Sequence, residues 1–159
     1  MKGIVITPSG DVSERDFGEP LYKTVGEAIG GLMEIVKPKG LPEPLVMIAN
    51  EEGRLQNLPF NPIASYWYGT QRHGQPIVGT VVILREDFNA EHEPDLFGLD
   101  EYHAALARGR IDLAKRAKLP EDPHNPPSRA QVYTLGEFDD LLSLFDLMPE
   151  PERVPWDWL

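Results

Sequence analysis

The chain of 159 residues contains no cysteine. That excludes a disulfide framework, a thiolate metal site and a cysteine nucleophile. Long apolar runs are missing too, and none approaches the roughly 20 residues needed to cross a bilayer. Positive charge is scarce: 15 Lys and Arg stand against 26 Asp and Glu, for a net charge of −11 at pH 7. Nonspecific nucleic-acid binding relies on lysines and arginines that displace counterions, so the field of this molecule opposes it. Glycine-rich phosphate loops are absent, because Gly26, Gly30 and Gly31 match neither glycine fingerprint and no Gly-Lys-Ser/Thr follows a strand. No serine occupies a nucleophile elbow; Ser65 falls inside a short predicted helix, a structural position. Met1 leads straight into Lys2-Gly3 and an apolar Ile4-Val5-Ile6 with no secretory leader, so a cytoplasmic protein without a membrane partner is expected.

What is present centres on residues 45–84. Leu45, Val46, Met47, Ile48 and Ala49 form an unbroken apolar run, too short for a helix and suited to a strand covered on both faces. Asn50-Glu51-Glu52-Gly53 predicts a tight turn, with residues 54–58 as a return arm. Asn61-Pro62 predicts a helix start, since Asn caps free N–H groups and Pro lacks the donor that would go unpaired at the first position. Gly69 should close that helix, and Ile77–Leu84, rich in β-branched residues, should be a second strand.

On either side the signals are thinner. Lys2–Thr7 reads as a first strand and 12–21 as polar and uninformative. Thr24-Val25-Gly26-Glu27 has capping-box spacing for a short helix ended by Gly30-Gly31, and residues 32–36 look like a strand. The acidic stretch 86–99 reads as a loop leading to a helix from Asp100, which Gly109 should break or bend. Residues 119–128 hold four prolines and predict a linker; 130–133 and 135–147 predict a short strand and an amphipathic helix. The expected fold is a single α+β domain with a mixed sheet of four to six strands and helices near 62–68, 101–118 and 135–147. Its expected parts are a core over 1–88, an acidic loop, basic helix and linker over 89–129, a strand and helix over 130–148, and a Pro/Trp tail over 149–159.

Candidate site residues form one ligand-binding set, drawn from two stretches, and one partner surface. Asn50, Glu51, Arg54, Asn61 and Tyr68 place polar groups around a turn and a helix start, where an anion or carbonyl finds backbone donors; turn and cap duties explain both asparagines equally well. Arg108, Arg110 and Lys115 belong to a basic run over 108–118 that suits a phosphate, or else is a solvated face whose stems cover apolar surface. A partner surface is suggested by Asp139, Asp140 and Asp146, within a stretch of seven acids against Arg153 alone, and by Trp156 and Trp158. Glu91-His92-Glu93 with Asp95 has metal-binding residue types, but neighbours on one loop rarely converge, so neither metal nor cofactor is expected.

Taken together, MKGIVITPSG, TVGEAIGGLMEIV, MIANEEGRLQNLPFNPIAS and IVGTVVIL resemble, over roughly residues 1–88, an uncharacterised domain family of phages, plasmids and actinobacterial genomes. The resemblance implies a small α+β domain and a mobile-element setting, and it brings no catalytic residues. The functional expectation is a non-catalytic phage-type accessory protein that binds and blocks or sequesters a host factor, with a counter-defence role. The alternatives are a sponge for a small nucleotide, an enzyme acting on a phosphorylated metabolite, or an acidic DNA mimic. The expected partner is a host protein or a small nucleotide, and the chain itself is a candidate homo-oligomer.

Overall fold

The computed structural model describes residues 1–70 and 75–117. Its centre is an antiparallel sheet of β1 (Lys2–Ile6), β2 (Val12–Asp16), β3 (Met33–Val36), β4 (Leu45–Asn50) and β5 (Val81–Phe88), in the order β2-β1-β5-β4-β3. A sixth strand, β6 (Pro94–Phe97), pairs with the far half of β5. Arg85 is partnered by Leu45 of β4 and by Phe97 of β6, so β6 lies on the side of β5 that β1 also occupies. Every pairing among the described residues is antiparallel, where a mixed sheet was expected.

The alternation of side chains across β1, β4 and β5 divides the apolar residues between two cores. Val5, Val46, Ile48, Val82 and Leu84 face one side, where they meet Val25 and Ile29 of helix α1 (Leu21–Ile29), Phe17 and Leu96. Ile4, Ile6, Met47, Val81 and Ile83 face the other, beneath helix α2 (Pro62–Tyr68) and helix α3 (Glu101–Arg116). The result is three layers, helix on sheet on helix. It explains why 45–49 is apolar without alternation: the strand is covered twice. The second core draws on Ala104, Ala107, Ile111 and Ala114, so α3 is part of the packed unit together with the sheet.

Local chemistry sets the element ends. Asn61 caps α2 by accepting from the Ala64 N–H at 3.2 Å, Pro62 takes the first turn, and Gly69 ends the helix at φ 85°, a left-handed conformation cheap only for glycine. Asp100 caps α3 in the same way through the His103 N–H at 2.8 Å.

Several expectations are corrected. The Thr24–Glu27 box does not start a helix: α1 begins at Leu21, and the Thr24 hydroxyl donates to the Gly18 carbonyl. Residues 51–57 form consecutive turns and no return strand, because Asn50 folds the chain back on itself. β5 starts at Val81 and not at Ile77, since Gly79 at φ 80° interrupts the extended backbone. β2 occupies the stretch read as uninformative, and β6 lies inside the stretch read as an acidic loop. Gly109 leaves α3 continuous. The predicted strand 130–133 and helix 135–147 lie outside the described residues.

Candidate binding surface

The polar residues of the central stretch are engaged by the fold. The Asn50 side chain donates to the Ile29 carbonyl at 3.3 Å and to the Gln56 side chain at 3.1 Å, and accepts from the Glu52 N–H at 2.9 Å. It thereby ties the end of α1 to the turn after β4. Gly31 allows this, because a Cβ there would meet the Asn50 amide at 2.7 Å. Asn61 is fully buried; its amide donates to the Ile6 and Gly79 carbonyls at 3.2 and 2.9 Å. Ser65 is structural as well, with its hydroxyl bonded to both main-chain groups of Ile77. Arg54 reaches Gln75 at 3.3 Å, Glu51 is exposed and Tyr68 is half-buried.

The basic helix residues diverge. Arg108 pairs with Glu14 of β2 at 2.7 Å, at the edge of the sheet remote from Asn50. Arg110 is half-buried, its Nη1 is enclosed with no hydrogen-bond partner among the described residues, and burial pushes its pKa down. Lys115 is exposed. Within the expected ligand-binding set, Asn50 and Arg108 thus lie toward opposite edges of the sheet. Asp139, Asp140, Asp146, Trp156 and Trp158 lie outside the described residues. Glu91, His92, Glu93 and Asp95 form no cluster able to hold a metal ion, and neither does any other set among the described residues.

The hairpin of β5 and β6 carries a feature that the linear reading missed. Its register sets Asp87 opposite Asp95 and Phe88 opposite Pro94. Asn89 closes the loop, its side chain accepting from the N–H groups of Glu91 and Glu93 at 2.9 and 3.0 Å. Alternation puts Asp87 and Asp95 on the α2/α3 side with Arg85 and Phe97, and Phe88 with Pro94 on the α1 side. Phe88 is 66% exposed, and Glu91, His92 and Glu93 are exposed at the tip. Two cations brace the base: Lys37 pairs with Glu86, and Arg85 reaches Asp87 at 3.1 Å while its guanidinium lies 5.1 Å from the Phe97 ring centre. Among the described residues no cation pairs with Glu91, Glu93 or Asp95. The arrangement is an acidic prong with an aromatic side. A sequence signal did exist: Pro94-Asp95-Leu96-Phe97 ends in an apolar pair, after an Asn89 suited to a loop.

These features define an α/β/α domain with one antiparallel sheet and a projecting acidic hairpin. The chain belongs to the family described as a domain of unknown function, DUF3846, which matches residues 1–106 of the 159. Comparison with curated proteins and with solved structures returns no match. No helix among the described residues is long and apolar enough to cross a membrane.

Proposed function

We propose that this domain is a non-catalytic binding protein whose acidic hairpin docks on a basic surface of another protein and blocks it. One observation carries the reading. Asp87, with Arg85 as its cation, faces across the ladder an Asp95 that has no cation among the described residues, beside a Phe88 that the fold leaves in water. Like charges directly opposed in a sheet destabilise it, and an exposed aromatic adds nothing to a core. Both features gain a role when a cationic surface with an apolar pocket covers them, because aromatic anchors ringed by charge are the usual energetic centre of an interface. The mobile-element setting implied by the sequence resemblance would make the target a host factor and the role a phage-type counter-defence. A target that normally holds DNA would make the domain a DNA mimic, recognisable by salt-sensitive competition with DNA.

The test is a photo-crosslinking residue in place of Phe88, used in the cell that carries the gene. The reading expects one polypeptide with a basic surface, captured there and not from Tyr22, which is 73% exposed on α1. Equal capture from both positions, or none, sinks it.

A second reading rests on Arg110, whose enclosed Nη1 has no hydrogen-bond partner among the described residues and suits an anion such as a nucleotide phosphate. Titration calorimetry with nucleoside triphosphates decides it: heat lost in Arg110→Gln supports a nucleotide sponge, and turnover of the nucleotide an enzyme.

A further inference from the structure

The two ends of the main strand order are built differently. At one end β2 reads Val-Ser-Glu-Arg-Asp, with Ser13, Glu14, Arg15 and Asp16 all exposed. Charges along an edge strand discourage any other strand from adding to it. At the other end β3 reads Met-Glu-Ile-Val and, among the described residues, pairs only with β4. Ile35 is 44% exposed, and Leu32, next to the strand, is 61% exposed.

The hydrogen-bond phase of β3 fixes what its open edge offers. The Glu51 N–H donates to the Leu32 carbonyl at 2.9 Å, and the register continues as Met33↔Asn50 to Val36↔Met47. Main-chain groups alternate in direction along an antiparallel strand, so Glu34 and Val36 face β4 while Met33 and Ile35 present theirs outward.

We propose that β3 pairs antiparallel with β3 of a second copy of this chain, about a two-fold axis through Ile35, so that two sheets become one. The choice of occupant comes from self-complementarity. In such a pair, outward-facing residues must meet outward-facing residues, which leaves three registers within β3. Ile35 against Ile35 forms two N–H···O bonds on the axis, stacks two exposed isoleucines and sets Glu34 against Val36. Ile35 against Met33 sets Glu34 against Glu34, which like-charge repulsion disfavours. Met33 against Met33 runs the strand into the Gly30-Gly31 turn that ends α1. Glu34 and the turn that ends α1 together select one symmetric register, and an isologous contact of this kind closes as a dimer. The proposal is independent of the acidic prong.

The absence of native cysteine makes the test direct, because any introduced thiol is the only one in the chain. In the proposed register the two Ile35 Cα atoms lie about 5.5 Å apart, within disulfide reach, whereas the two Glu34 residues are displaced beyond the roughly 7 Å limit. Under mild oxidation the full-length Ile35→Cys protein should form covalent dimer about tenfold more readily than Glu34→Cys, since only the first pair can close without backbone movement. Sedimentation of the unmodified protein should give a two-chain mass at high concentration. Ile35→Lys, at a half-exposed position, should sediment as one chain with unchanged circular dichroism. Three results would overturn the proposal: a single-chain mass at every concentration, equal crosslinking of the two cysteine variants, or a dimer that survives Ile35→Lys.

Discussion

The two halves of β5 share a strand and little else. Val81, Val82, Ile83 and Leu84 are fully buried, flanked by β1 and β4 and covered by helices on both faces. Arg85, Glu86, Asp87 and Phe88 leave that shelter; their added neighbour is β6, and the last two are exposed. In the first half, burial and pairing agree, and each residue supports the same structure. In the second, the ladder continues while the side chains work against it: Asp87 opposes Asp95, and Phe88 stands in solvent. Where local choices conflict with the fold, function is the usual reason.

The contrast can be broken at its strong end first. Ile83→Ala should cost about 4 kcal/mol, because the site is closed on all sides and cannot collapse around the lost methyls; a urea melt measures it. Asn61→Ala should follow at about 3 kcal/mol, one for each of its three buried side-chain hydrogen bonds. Its signature would be reduced protection from amide exchange in α2 and at Gly79. Gly109→Ala, on the open face of α3 with nothing within 4 Å of the new Cβ, should add about 1 kcal/mol and leave binding alone. In the prong, Asp87→Asn with Asp95→Asn should change stability by less than about 0.5 kcal/mol, because relief of the like-charge opposition is offset by loss of the exposed Arg85–Asp87 pair. That near-zero effect, against the losses in the core variants, is the sharpest distinction between the halves.

The smallest effect concerns acid. The His103 backbone N–H holds the Asp100 carboxyl below its ordinary range, with further lowering from the His103 side chain and Arg85. A carboxyl with a depressed folded pKa contributes stability above its unfolded pKa and loses it as pH falls through the folded value. Asp100→Asn, which still caps α3, should therefore flatten the acid limb of the stability profile by lowering the neutral plateau slightly toward the acid value. An unchanged limb would show that the cap does not contribute to it.

The buried parts of this fold were legible because burial writes itself into composition. The doubly covered β4, the Asn61-Pro62 start and the Gly69 stop of α2, and the α3 start at Asp100 each combine a pattern with a chemical cause. β2 was invisible for the opposite reason: an edge strand with four exposed polar residues has no apolar alternation to read. β6 was hidden by its acids, which suggested a loop, although Leu96 packs into the α1-side core. Thr24 misled because its hydroxyl caps nothing and bonds back to Gly18. For the site the limits are stricter. The sequence placed Asn50 and Arg108 in one candidate set, and only the strand order reveals that they sit near opposite edges. The opposition of Asp87 and Asp95 depends on register, which no composition encodes.

The most direct measurement of the central claim is capture of partner proteins from the cell that carries the gene, by the unmodified chain and by the double variant Asp87→Asn, Asp95→Asn, with melting curves recorded on both. The account predicts that a salt-sensitive captured polypeptide is lost while the variant melts at nearly the same temperature. Undiminished capture by a well-folded variant would contradict it, and the acidic prong would then be solvated surface.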